Sequence, residues 1–574
     1  MLSKILYLER TKQCSAVNRL KLKDVKAVGK MVIVGVLIIV IVIAGVVGYY
    51  LMAPPTKMKE TLIIGTTDSV ETCLDPARAY DFFGWEIIQS LGCSLVEYTA
   101  GATGSTDDII PSLATSWTVS DDGLQWTFDL RQGVKYDDDR EFTADDVKYT
   151  FDRGIGIADE DGAFVGIGYG DIIDSVTVVS TYVVRFDLKI PFAAFLSLMA
   201  CQASYIVDST YAPKSGDTWS TDDVVVYTEG DARGSHPMGL GPYRLKSWTR
   251  VAGKDTEMTL EANPLYWNAA EGYPKTKTIV FAFKADSAGL ATAMTAGDVD
   301  IAFRQLAATD ITTMQSNPDL QVWEGTGAFI QYLCMQQKNA PFNDVRARKA
   351  VAAAINRTML VDTVFQGQAE ELFSMIPIGM FGHTDAFQSI GNPDYALTQE
   401  LLGELGYDEN NKFSFTLWYE TSGHYPQSQQ QALVLKSSLE ASGVISVTLE
   451  GRDWAAYKVK RSEETMEAYV YGWYPDYIDP DDYIYPFVQS SGGSWLHHNY
   501  ASAEMDQLIA WARGNTTAAA RTSLYEQIQD LMVTDVPIIP LYQSGAYAVS
   551  KPNVKGIYLD ITQQWRNWLL YAEE

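Results

Sequence analysis

Positive charge is scarce in this sequence, and much of it gathers at one end. Lys and Arg number 44 against 72 Asp and Glu, a net charge of −28 over 574 residues. Residues 1–30 hold eight basic residues (Lys4, Arg10, Lys12, Arg19, Lys21, Lys23, Lys26, Lys30) opposed only by Glu9 and Asp24. The remainder is therefore more acidic than the total suggests. Such a body repels phosphates instead of releasing counterions from them, which excludes nucleic acid as a partner. Histidine is equally sparse. None of His236, His383, His424, His497 and His498 stands at a zinc-binding spacing such as HExxH, and the neighbours His497 and His498 point in different directions on a helix or a strand. No Gly-x-Ser-x-Gly elbow occurs either. The sequence predicts no enzyme, no metal and no cofactor.

Only five cysteines are present, Cys14, Cys73, Cys93, Cys201 and Cys334. A link between Cys73 and Cys93 would close a short loop; isolated buried thiols are the other reading. Long apolar runs are absent but for residues 31–52, MVIVGVLIIVIVIAGVVGYYLM, which carry no charge. As a helix this run spans about 33 Å, against roughly 30 Å of bilayer hydrocarbon. Basic residues precede it and acidic ones follow, so the positive-inside bias places the N-terminus in the cytoplasm and the large body outside. A cleaved signal peptide is the alternative, disfavoured by the bulky residues before Ala53. No cysteine follows closely enough for a lipid anchor.

What is present argues for a folded body of more than one lobe. Hydrophobic residues make up 47% and aromatics 12%, too much for disorder, and the length exceeds what one core usually supports. Residues 53–60 form a proline-containing tether. A strand follows at Thr61 (TLIIG), then an Asp75-Pro76 turn, a helix from Phe82 to Leu91 and a second apolar strand. Residues 154–170, GIGIADEDGAFVGIGYG, lack the lysine of a phosphate-binding loop and read as a flexible surface loop. The stretch 472–480, GWYPDYIDP, concentrates aromatic faces, a bend and carboxylates. If it faces a cavity, Asp476 is the candidate anion for a cationic ligand group. Asp479, Asp481 and Asp482 read as a solvated acidic stretch, with a hard-cation site as the alternative.

Residues 116–153, SWTVSDDGLQWTFDLRQGVKYDDDREFTADDVKYTFDR, resemble the signature region of family 5 extracellular solute-binding proteins, the peptide-binding components of ABC importers. Within it, Trp126, Phe128 and Leu130 alternate as a half-buried strand, and Thr143 with Asp146 opens a helix in capping-box fashion. The resemblance continues through MGLGPYRLKSW and LEANPLYWN (238–268), AGDVDIAF (296–303), APFNDVRARKAVAAAINR (340–357), LLGELGY (401–407), VPIIPLY (536–542) and VKGI (554–557).

The resemblance implies an α/β, two-lobed periplasmic-binding-protein-like fold of type II behind one N-terminal transmembrane helix. Lobe I would comprise 61–328 plus 543–574, with a subdomain inserted at about 106–233, and lobe II would comprise 329–542. The crossovers fall near Phe329 and Gln543, and the lobes close on ligand like a hinge. It also implies a monomer that captures peptides and passes them to ABC permease and ATPase subunits. The register from Trp454 to Trp473 places Asp476 on the aspartate that accepts the ligand's α-ammonium group. Gly472 and Trp473 fall on a ligand-pairing backbone edge, and Gly84 and Trp85 on the opposing strip. Trp473, Tyr474 and Tyr332 are candidate pocket walls. Arg461 stands where some members pair the terminal carboxylate, but Val470 replaces a second arginine. The family also includes binders of oligosaccharides, nickel chelates and haem, and a surface sensory receptor is a further alternative.

Overall fold

The run TLIIGT forms β1 (Thr61–Thr66), whose Leu62 and Ile64 are completely buried. A short, nearly continuous apolar run of this kind suits a strand covered on both faces. The structure, a computed structural model, describes residues 57–574 apart from Pro213, Gln305, Gly423 and 491–494. The proposed membrane span 31–52 lies outside the described residues, and among those described no helix is long and apolar enough to cross a membrane.

After β1 comes the helix Phe82–Leu91, opened by Asp81, whose carboxylate accepts the Gly84 N–H at 2.7 Å. The ribbon β2 (Val96–Tyr98) and β3 (Ile109–Pro111) follows. Next, β4 (Ala114–Val119), β5 (Gln125–Leu130), β6 (Ile173–Ser180) and β7 (Val183–Leu188) make a separate antiparallel sheet in the order β4-β5-β7-β6. The alternation expected in β5 is observed, with Trp126, Phe128 and Leu130 buried. The capping box also forms, Asp146 accepting the Thr143 N–H at 2.9 Å.

The chain then builds an eleven-stranded mixed sheet. β8 (Tyr243–Val251), β9 (Lys254–Ala262), β10 (Thr278–Phe283) and β11 (Ile301–Phe303) gather around β1. β12 (Gln321–Met335) leads out of this half. β13 (Ala369–Glu371), β14 (Phe413–Glu420), β15 (Ile445–Arg452) and β16 (Ala468–Trp473) come next. β17 (Ile538–Ser550) returns, and the short β18 (Val554–Lys555) and β19 (Tyr571–Ala572) finish the chain. The sheet order is β15-β14-β16-β12-β17-β11-β1-β10-β9-β8. Only β12 and β17 run through both halves, and their register breaks between Thr326 and Ile330, opposite Gln543 to Gly545.

Of the two cysteine readings the isolated buried thiols hold, and one expectation is corrected. Cys73, Cys93, Cys201 and Cys334 are all free and buried. Cys73 packs with Ala77, Ile157 and Val224, whereas Cys93 donates its thiol to the Leu240 carbonyl, so a shared short loop does not bring them together. The glycine-rich stretch 154–170 is not a loop either. It ends the helix Ala144–Ile157 and supplies the short helices Ala163–Ile167 and Tyr169–Ile172. Its glycines admit aromatic rings: a Cβ on Gly154 would lie 2.4 Å from Phe164, and one on Gly166 2.5 Å from Tyr80.

Candidate functional site

β16 carries the chain to Trp473 and stops where Pro475 removes a backbone donor. The turn that follows feeds the helix Asp481–Val488. Four aspartates lie in this short segment and none is solvated. Asp479 is completely buried and receives two bonds from Arg521, at 2.8 and 2.5 Å. Asp481 faces Arg513 at 3.2 Å and accepts the Tyr477 hydroxyl at 2.9 Å. These two are neutralised by arginines supplied from the hairpin of helices Ala503–Gly514 and Ala518–Asp535. The reading of a solvated acidic stretch is thereby corrected, and among the described residues no metal-binding cluster is found.

Asp476 and Asp482 have no such partner. Asp482 Oδ2 accepts the Asp476 N–H and the Trp473 indole N–H, both at 3.0 Å. Asp476 Oδ2 accepts the Tyr80 hydroxyl at 2.8 Å. Among the described residues no cation forms an ion pair with either carboxylate. Burial raises Asp476 to about 7, the Tyr80 hydrogen bond working the other way. Asp482 is raised well above the usual carboxylate range, first by burial and then by the charge of Asp476. A buried carboxylate pays a large desolvation cost as an anion unless a cation joins it. Tyr80 belongs to the segment between β1 and Phe82–Leu91, so the bond to Asp476 ties the two halves of the sheet across their gap.

The other expected site residues divide. Tyr474 packs on Phe329 and Phe82, with ring centres 4.4 and 5.6 Å apart, and lines a cavity of about 200 Å³. Trp473 turns the opposite way, against Phe487 and Trp495. Trp85 is buried, donates its indole N–H to the Ala79 carbonyl at 2.7 Å and stacks beside Tyr80; it positions Tyr80 and does not face the cavity.

Three assignments are corrected. Gly84 offers no free backbone strip, because it sits in the first helical turn with its N–H on Asp81. Tyr332 is no pocket wall, being completely buried on β12. The β16 edge at Gly472 is already covered: its carbonyl accepts the Tyr425 hydroxyl at 3.2 Å, and a Cβ there would lie 2.6 Å from Phe329. Arg461 lies on the helix Trp454–Ser462. It is buried, bonds the Tyr471 hydroxyl at 3.1 Å and lies 4.2 Å from the Trp495 ring. Its Nε has no partner among the described residues, and it joins no carboxylate there. Val470 is core.

Sequence reasoning missed Tyr80 and the pairing of Asp482 with Asp476. Gly166 is the sequence signal for Tyr80, since only a residue without a side chain leaves room for that ring.

Residues 108–495 match the family described as bacterial extracellular solute-binding proteins, family 5, middle region. The chain belongs to this family. The solute-binding protein is 28% identical over 484 residues to Heme-binding protein A of Haemophilus influenzae, covering 80% of this chain and 83% of the relative. It is 27% identical over 492 residues to the Dipeptide-binding protein of Escherichia coli, covering 81% and 86%. Among solved structures it resembles the periplasmic binding protein DppA of Helicobacter pylori in complex with peptide STSA, with a TM-score of 0.74 and 25% identity over 90% of this chain and 98% of that one. These neighbours are two-lobed binding proteins of mixed α/β content. Members of the family are extracytoplasmic and bind solutes.

Proposed function

We propose that this solute-binding protein captures peptides by their free amino terminus and delivers them to an ABC permease. The observation that carries this reading is the Asp476–Asp482 pair, two buried carboxylates at the junction of the sheet halves with no cation among the described residues to neutralise them. An α-ammonium group brings the missing charge together with three N–H donors. Each charge-assisted bond contributes on the order of 1.5–3 kcal/mol. The names of the dipeptide-binding relatives and of the peptide-bound structural neighbour agree with it.

Arg461 is the proposed partner of the ligand's carboxylate. It is buried without an anion among the described residues, and it reaches Trp473 through Trp495. The breaks in β12 and β17 are the proposed hinge between lobe I (61–328 and 543–574, with the inserted subdomain near 106–233) and lobe II (329–542). The uncharged run 31–52 is the proposed single-pass anchor of a monomer whose body lies outside, where tethering raises its concentration near the permease.

Titration calorimetry of the purified protein with a tripeptide mixture, the same peptides N-acetylated, and cello-oligosaccharides tests the reading. Free-amine peptides are expected to bind and acetylated ones to lose at least about tenfold in affinity; Asp476→Ala is expected to abolish binding. Equal affinity for acetylated peptides, or binding of the sugars alone, sinks it.

A further inference from the structure

The cavity beside Tyr474 is built by both halves of the molecule, and the described groups that line it leave no charge unspent. Phe303, Arg304 and Trp565 come from one side, and Phe365 and His424 from the other. Among the described residues the Arg, Asp and His side chains that reach it are Arg304, Asp560 and His424, and each is already engaged. Arg304 donates from Nε to Asp68 at 2.6 Å and lies flat over Phe82 at 3.7 Å. Asp560 accepts from Arg566 and from the Gly101 N–H, each at 2.8 Å. His424 stacks on Trp454 with ring centres 3.7 Å apart, and the protein packed around it lowers its imidazole to about 4, so it is uncharged at neutral pH. The remaining walls offer flat apolar faces, including the Phe303–Trp565 stack at 3.8 Å, and amides such as Gln368 and Gln564.

At about 200 Å³ the space falls below the roughly 300–1,000 Å³ that a drug-sized ligand fills, so it suits one side chain and not a whole peptide. A charged side chain entering it would be desolvated with no free counter-charge among the described residues, whereas an aromatic ring or an amide finds stacking surfaces and hydrogen-bonding groups. We infer that this cavity is a side-chain subsite selecting uncharged, flat side chains, aromatic or amide-bearing, on the captured ligand. The inference rests on the peptide reading above and adds a specificity to it.

The test uses the purified full-length chain and trialanine in which each position in turn is Phe, Gln, Lys or Glu, all with free amino termini. At one position Phe and Gln are expected to bind at least about tenfold more tightly than Lys and Glu. Equal affinities at every position overturn the subsite while leaving peptide capture intact; failure of every tripeptide to bind removes the peptide reading and the subsite with it. A gain-of-function variant guards against misfolding. Ala308 lines the cavity and is the first residue of the helix Ala308–Gln315, where an acidic residue is favourable. Ala308→Asp is expected to improve the Lys peptide about tenfold relative to the Phe peptide. An unchanged Lys-to-Phe ratio in that variant also overturns the inference.

Discussion

At the scale of single residues, the unusual feature is a pair of adjoining buried carboxylates, Asp476 and Asp482, that no cation among the described residues joins in an ion pair. Burial with no ion-paired cation among the described residues raises Asp476 to about 7, far above an exposed aspartate, and the adjoining Asp482 is raised as well. From about pH 4 to pH 7 the folded chain thus holds protons that the unfolded chain releases. The stability this site contributes is full below the ordinary aspartate range and is lost as pH rises through about 7. Binding an ammonium group demands the opposite, an ionised carboxylate. Peptide affinity is therefore expected to rise with pH through about 7 and to fall again above about 8, where a free α-amino group loses its proton. Calorimetry at pH 6 in buffers of differing ionisation enthalpy should register proton release on binding; proton uptake, or none, contradicts the assignment. Tyr80 tunes this midpoint, since its hydroxyl stabilises the charged form of Asp476. Gly166→Ala would push the Tyr80 ring from its place. Its lower pH limb is expected to move upward, as should that of Tyr80→Phe, and an unmoved limb in both variants argues against a role for Tyr80.

At the scale of elements, the chain between β16 and the helix Asp481–Val488 is fixed by arginines far away in sequence. Arg521 holds Asp479 through two bonds while both side chains are almost wholly buried. Removing one partner of such a pair costs about 3–5 kcal/mol, because the other charge stays buried and unpaired. Arg521→Met is expected to lower the urea midpoint by a corresponding amount, and Asp479→Asn added to it should recover part of the loss; a wild-type midpoint for the single variant rules this out. Parts of the molecule are legible in the sequence because near neighbours decide them. The helix Phe82–Leu91, the Thr143–Asp146 cap and the alternation of Trp126, Phe128 and Leu130 depend on near neighbours, and each forms as expected. The environment of Asp479 depends on a residue forty-two positions away, so its local composition suggested solvation. Tyr332 and Gly84 misled for related reasons: an aromatic on a strand does not declare which side is core, and the Gly84 N–H was already committed to a cap. Glycines in 154–170 signalled close ring packing, which composition alone cannot tell from a loop.

At the scale of the whole molecule, the Tyr80–Asp476 bond and the cavity beside Tyr474 form only while the two halves of the sheet stay together. The Tyr80–Asp476 bond spans them, as do the Ala193 N–H bond to the Arg513 carbonyl at 2.9 Å and the edge contact of Phe192 with Tyr477. These contacts and the Phe82–Tyr474 ring contact add to the ladder between β12 and β17, whose register shifts between Thr326 and Ile330 and again between Gln331 and Tyr332. A closing motion requires such a break, where backbone dihedrals can change without unpairing the sheet. At the break the strands pass unusually close: a Cβ on Gly327 would lie 2.2 Å from the Ser544 carbonyl oxygen, which is backbone and cannot turn aside. Gly327→Ala should therefore force the crossover strands apart and displace the halves that they carry. In small-angle scattering the variant is expected to show a larger radius of gyration than wild type, to contract less on adding a free-amine tripeptide, and to bind it more weakly. A variant that matches wild type in both size and affinity would place the hinge elsewhere than in these two strands.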